Sequence, residues 1–247
     1  MYTGGEIQWD LVYSVIAQAF HNSAWRVKHE KRNALSLPQN VIETMAFVLC
    51  SALVSFTPLH GAEPPAVAGA SYALLKGTNE FGLWAGGSPD STKIFGNTED
   101  RQLLLVGLRY GRILAAWESL SLEYTLDIFP AAVVFEPERV RRGSSTIYGA
   151  GLTPLGFKVN FSQQSWIKPF VAASVGFLYF QDDVPVPRSS RFNFTPEIGL
   201  GVQFFLTPKR ALTIGYKLHH MSNANTGRSN PGMDSHVIYA GFSFFTP

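Results

Sequence analysis

Arg191-Phe-Asn-Phe-Thr-Pro-Glu-Ile-Gly-Leu-Gly-Val-Gln-Phe204 carries an apolar residue at every even position: Phe192, Phe194, Pro196, Ile198, Leu200, Val202 and Phe204. The odd positions hold Arg191, Asn193, Thr195, Glu197, Gly199, Gly201 and Gln203. Successive side chains of an extended chain point to opposite faces, so a strict period of two marks a strand with one apolar face and one polar or small face.

The same period spreads outward from this stretch. Leu120, Leu122, Tyr124, Leu126 and Ile128 alternate with Ser119, Ser121, Glu123, Thr125 and Asp127, while Leu104, Val106, Leu108 and Tyr110 surround Gly107 and Arg109. Segments 147–161 and 167–179 keep their apolar residues on odd positions, with Lys158 and Lys168 on the other face. Eight runs emerge, near 72–86, 102–117, 119–135, 146–161, 166–180, 191–206, 211–223 and 235–245. The 22 glycines and 15 prolines interrupt the chain too often for long helices, which agrees with an all-β fold.

Soluble and membrane barrels both alternate, and they differ in which face meets water. Only 15% of the residues are charged, against roughly 25% in an ordinary soluble domain. The polar faces are rich in Gly, Ser and Thr, the apolar faces are aromatic, and the runs suit tilted spanning strands. These features predict an eight-stranded antiparallel transmembrane β-barrel of outer-membrane type over residues 63–247. The closing run Ile238-Tyr-Ala-Gly-Phe-Ser-Phe-Phe245 has the alternating aromatic style of an outer-membrane assembly signal. Eight strands enclose a space that side chains fill, so no pore is expected. Arg109, Glu123, Asp127, Lys158, Lys168, Glu197 and Lys217 then read as ion-pair partners in the lumen, and Trp84, Trp117 and Trp166 as anchors at the membrane rim.

Upstream, Met45-Ala-Phe-Val-Leu-Cys-Ser-Ala-Leu-Val-Ser-Phe56 is apolar, too short to span a bilayer as a helix, and followed by small residues up to Ala62. Residues 45–62 are therefore expected to be a signal peptide and residues 1–44 a leader or over-extended start with no assigned fold. Leu49 stands before Cys50 where a lipidation signal needs a small residue, so Cys50 reads as part of the signal core. A single cysteine leaves no internal disulfide and no thiolate zinc cluster. The net charge of +2 with scattered basic residues excludes the patterned positive field of a nucleic-acid binder.

One segment gathers a base, a nucleophile and an acid: His219-His220-Met-Ser222-Asn223-Ala224, followed by Asn230-Pro-Gly-Met-Asp234. Leu212, Ile214, Tyr216 and Leu218 form the apolar, outward stripe of the seventh run, so His220 and Ser222 continue it, while Lys217 and His219 look inward. Ile238, Ala240, Phe242 and Phe244 set the same rule for the eighth run and place Asp234 and His236 outward. Polar groups facing lipid are costly unless they work there. His236 shares this face as a second candidate base, and a metal site from His220, Asp234 and His236 would leave the serine without a role.

The motif resembles the active-site signature of PagL-type lipid A 3-O-deacylases, exported outer-membrane esterases of Gram-negative bacteria. The resemblance in motif covers residues 215–241, and in architecture the whole barrel. It implies that Ser222 is the nucleophile, His220 the general base, Asp234 the acid that orients it, and Asn223 a stabiliser of the oxyanion. Where the best-known member of that family has a glutamate, this chain has Asp234, one methylene shorter. The implied reaction is hydrolysis of a 3-hydroxyacyl ester on lipid A in the outer leaflet, without metal or organic cofactor, and a homodimer is left open. Two other readings of the sequence are a non-enzymatic small barrel for adhesion or envelope stability and a soluble lipocalin-like carrier.

Overall fold

A computed structural model describes residues 71–137 and 146–247; the leader and signal peptide expected over 1–62 lie outside them. Among the described residues there are nine strands: β1 (Asn79–Ser88), β2 (Ser91–Thr92), β3 (Gln102–Ala116), β4 (Leu120–Phe135), β5 (Thr146–Phe161), β6 (Ile167–Val184), β7 (Ser190–Thr207), β8 (Arg210–Met221) and β9 (Met233–Thr246). Apart from the two-residue β2, each pairs antiparallel with the next, and β1 pairs back onto β9 from Asn79 opposite Thr246 to Gly87 opposite Ile238. The eight long strands thus form a closed ring with no free edge, the one sheet geometry that leaves no backbone polar group facing lipid.

The alternation in the sequence becomes the wall of this ring. In β7, Asn193, Thr195 and Gln203 are fully buried inside, whereas Phe194, Ile198 and Leu200 are exposed outside. Phe81, Leu108, Ile128, Phe157, Val171, Ile214 and Ile238 extend the apolar exterior around the barrel. In water such a belt would far exceed the apolar patches that soluble monomers expose, and a bilayer is the solvent that matches it. The soluble-carrier reading does not survive this surface.

Charged groups inside are paired with one another. Lys158 Nζ lies 2.6 Å from Glu80 Oε2 and 2.9 Å from Glu123 Oε2. Asn160 donates to Glu123, and Gln203 and Ser243 donate to Glu80. Arg109 grips Asp127 through Nε at 2.9 Å and Nη2 at 2.7 Å, and Lys217 pairs with Glu197 at 3.1 Å. Charges out of water are tolerated when paired and hydrogen-bonded in this way.

Several expectations need correction. Lys168 faces inward but forms no lumen ion pair among the described residues; its ammonium donates to the carbonyls of Ser162, Gln163 and Ser165 and closes the β5–β6 turn. Trp84 is no rim anchor. It is buried in the lumen, where its indole fills the place a Cβ on Gly107 would take, donates to Asp127 at 3.3 Å and underlies Lys217 Nζ at 4.1 Å. Gly107 leaves a lumenal gap that a large ring fills, and burial there is favoured by a cation over the ring face. Trp117 is exposed beside the β3–β4 turn, while Trp166 packs toward the buried cluster of Leu74, Ile113, Phe205, Ala211 and Phe245.

The first run begins as a strand only at Asn79, because Lys76-Gly77 makes a turn with Gly77 at φ +93°. Leu74, ahead of that turn, packs under the end of the barrel with its N–H on Gln163 Oε1 at 2.8 Å. In β5 a register shift between Leu152 and Leu155 reverses the alternation, so Ile147 is buried while Tyr148 is exposed. Pro154 sits in that shift and cannot donate to the ladder.

The connections at 117–119, 162–166 and 208–209 are short and lie on the side of the C-terminus, whereas on the other side 185–189 is short and those at 89–101, 136–145 and 222–232 are longer. Short turns face the periplasm in such barrels and long loops face outward, which puts the β8–β9 connection at the external rim. The lumen network gives a stability test. Lys158→Met leaves Glu80 and Glu123 as buried carboxylates without their shared cation, with an expected loss of roughly 3–5 kcal/mol, read as a lowered urea midpoint for the barrel in lipid vesicles.

Candidate active site

The ladder between β8 and β9 sets His220 directly opposite Asp234. Adjacent histidines part onto opposite faces. His219 is buried in the lumen with Nδ1 2.6 Å from Glu197 Oε1, while His220 stays on the outward stripe with its side chain 18% exposed. His220 Nδ1 lies 2.6 Å from Asp234 Oδ1, so the shorter acid does reach the ring.

Asp234 belongs to the outward stripe of β9, yet it is fully buried. The cover comes from the first external loop. Its Oδ2 accepts backbone N–H groups from Ile94, Phe95 and Gly96 at 2.9, 2.7 and 2.7 Å. Four donors, counting the imidazole, converge on Asp234, and an ionised carboxylate can only accept, so the pairing places the imidazole proton on Nδ1 and leaves Nε2 with the ring's lone pair.

The loop is fastened along its length. β2 pairs with β9 through Ser91 opposite Ser235 and Thr92 opposite Asp234. Asn97 N donates to Pro231 O at 2.6 Å, and Thr98 bridges Met233. Gly96 lies so close to the β8–β9 loop that a Cβ there would stand 2.5 Å from the carbonyl carbon of Gly232.

Ser222 follows β8 and keeps its register. Its N–H donates to Phe194 O at 3.1 Å and its carbonyl accepts from Phe194 N at 2.7 Å. It thereby shares the outward face with His220, two residues away. Among the described residues no hydrogen bond joins its hydroxyl to the His220 ring; what the fold brings together is His220 with Asp234, and it sets Ser222 on the same stripe.

Asn223 is 1% exposed and organises the loop behind Ser222. Its Nδ2 donates to Ser229 O at 2.8 Å, its Oδ1 accepts from Asn225 N at 3.0 Å, and its own N–H donates to Asn230 Oδ1 at 3.0 Å. Ala224 and Asn225 follow at φ +50° and +63°, with Thr226 N closing the turn on Asn223 O at 3.0 Å. Two consecutive left-handed residues are the geometry of a type I′ turn, and an alanine there is strained by about 1–2 kcal/mol.

His236 is occupied at both nitrogens. Nδ1 lies 2.6 Å from the Tyr216 hydroxyl and Nε2 3.2 Å from Thr92 Oγ1, with the ring stacked on Tyr216. Of the two outward histidines, His220 is the one paired with a carboxylate. Among the described residues no group of three His, Cys, Asp or Glu side chains could hold a metal ion.

Sequence reasoning missed the Ile94–Gly96 clamp and Asn230. The clamp joins residues 138 to 140 positions apart, beyond any local pattern. One local signal was there: Ile94-Phe95-Gly96 is an apolar pair and a glycine inside the otherwise polar loop Ser88–Asp100.

Comparison with known proteins bears on the family and the fold. The family described as lipid A 3-O-deacylase (PagL) matches residues 102–243, more than half of the chain. Among solved structures, the chain is similar to the crystal structure of the outer membrane enzyme PagL at 18% identity and a TM-score of 0.50, covering 66% of this chain and 97% of that one. It also matches Neisserial surface protein A (NspA) at 16% identity and a TM-score of 0.41, covering 68% and 97% of the two chains. A third match is the outer membrane protein OprG from Pseudomonas aeruginosa, at 13% identity and a TM-score of 0.43, covering 71% and 99%. No curated protein matches the chain significantly in sequence.

The clamp can be tested directly. Gly96→Ala pushes the loop off Gly232 and withdraws three N–H donors from Asp234, and displacements of about 1 Å in such a site lower rates on the order of 100-fold. The expected result is that loss in lipid A deacylation by a variant whose barrel still assembles, followed by heat-dependent electrophoretic mobility.

Proposed function

The chain belongs to the lipid A 3-O-deacylase (PagL) family, and on that premise we propose that it is an outer-membrane serine esterase that removes the 3-O-linked 3-hydroxyacyl chain of lipid A. The observation that carries the reading is the His220–Asp234 pair, 2.6 Å apart on the outward face at the external rim. A polar pair fixed on the lipid-facing side of a barrel is suited to a lipid substrate entering sideways from the outer leaflet. Export through residues 45–62 is part of the same proposal.

In the proposed reaction Ser222 Oγ attacks the ester carbonyl carbon and its proton passes to His220 Nε2. Asp234 keeps the ring in the useful tautomer and balances the imidazolium. The carbonyl oxygen becomes an oxyanion, for which preorganised donors supply the largest rate contribution. We assign that role to Asn223 through the turn it shapes, since its own side-chain amide and N–H are held by Ser229 O and Asn230 Oδ1. His220 then returns its proton to the departing 3-hydroxyl of the glucosamine. Water, deprotonated by His220, cleaves the acyl-serine to a free 3-hydroxy fatty acid. Every group comes from one chain, so the homodimer left open by the sequence is not required.

The experiment is mass spectrometry of lipid A from a Gram-negative host that lacks such an activity. Expression of the wild type should remove one 3-hydroxyacyl mass, and Ser222→Ala and His220→Ala should not. Asp234→Asn should retain a trace, with a fall of about 10^4-fold expected where the orienting acid of a serine triad is neutralised. His236→Gln should remain active. Unchanged lipid A with the assembled wild-type barrel would favour the non-enzymatic reading.

A further inference from the structure

The backbone of the first external loop is committed to Asp234, and the side chains at its tip are left facing outward. Ile94 is 49% exposed and Phe95 73% exposed. The Phe95 ring meets the His220 ring edge-on, with centroids 6.0 Å apart and an interplanar angle of 84°. On the opposite flank, Phe194 is bonded through its backbone in both directions to Ser222, is itself exposed, and packs edge-on against Phe192 at 5.1 Å. Phenyl rings therefore stand on both sides of the His220–Ser222 line, one above β9 and one on β7.

The loop cannot fold these side chains away. Three N–H groups on Asp234, the Asn97–Pro231 bond and the β2 ladder hold it in place. Ile94, Phe95 and Phe194 offer no donor or acceptor to a sugar, and they fit hydrocarbon. The polar loop on the other side of Ser222, with Asn225, Ser229 and Asn230, fits a sugar. The carbonyl would lie at Ser222 with the chain running between the two rings.

We propose that Ile94, Phe95 and Phe194 wall the groove for the acyl chain that is cleaved, and that Phe95 is a specificity-determining residue for chain length. The inference rests on the esterase reading above. The loop also precedes residue 102, where the family match begins.

The test uses detergent-solubilised full-length barrel and two synthetic substrates, glucosamine esterified at O3 with either 3-hydroxybutyrate or 3-hydroxymyristate. The quantity read is the ratio of kcat/KM for the long ester to that for the short one. Phe95→Ala should lower this ratio roughly tenfold, the change that about 1.4 kcal/mol of transition-state binding corresponds to. Phe95→Leu, which keeps an apolar contact, should recover most of it. A ratio unchanged in Phe95→Ala overturns the acyl wall and leaves the esterase reading standing, as expected if Phe95 only meets bulk lipid. A wild type that cleaves neither ester overturns the esterase reading and the wall with it.

Discussion

Backbone polar groups have no water to bind in a bilayer, so every strand must find a partner on both sides. The pairing of β1 with β9 meets that condition and fixes everything else. Once the ring is closed, alternate side chains are forced inward, where polar ones must satisfy each other, and the rest are forced into lipid. Glu80, Glu123 and Lys158 with Asn160, Gln203 and Ser243 show the inward solution, a buried network built around one shared ammonium. A filled lumen also has a consequence for function, since a lipid substrate can be met only on the outer wall.

That wall is a costly place for a histidine and a carboxylate. The molecule resolves the conflict by position and by cover. His220 and Asp234 lie at the external ends of β8 and β9, and a loop from the far end of the sequence closes over the acid with three backbone amides. The two adjacent histidines show how narrow the design is. His219 is a lumen residue tied to Glu197, and His220, one step on, is a rim residue tied to Asp234. A slip of one residue in the β8 register would exchange their faces.

Period-two patterns are local, and what depends on them was legible. The eight strands, the inward charges of Arg109, Asp127 and Lys217 and the outward stripe carrying His220 can all be read from alternation in 191–206 and its counterparts. What depends on the far side of the barrel could not be read. Trp84 shares the inward face of β1 with Glu80, Gly82 and Gly86, and only the gap opposite, at Gly107, shows why an indole fits there. Lys168 looks like any lumen cation until the β5–β6 turn offers it three carbonyls. Pro154 breaks the β5 alternation without erasing it, so the stripe looks continuous while its upper half has turned over. For the site, the motif marked His220, Ser222, Asn223 and Asp234. It was silent on what holds the acid, because those partners are backbone amides, which carry no sequence identity.

The aspartate brings these strands of reasoning together. A glutamate can reach a histidine from several places, whereas Asp234 is one methylene shorter and works here from the position directly opposite His220 in the ladder. Such a short side chain has little freedom to turn its second oxygen toward water, and on this wall there is little water to find. The oxygen must be satisfied in place, and the Ile94–Gly96 amides do so at 2.7–2.9 Å. A shorter acid thus makes the site more dependent on the first external loop. Because the amides that hold Oδ2 belong to the residues whose side chains flank His220, orientation of the base and shape of the adjacent apolar surface are set by one small piece of backbone. A change that loosens this piece should disturb both together, and a change confined to the Phe95 ring should disturb only the second.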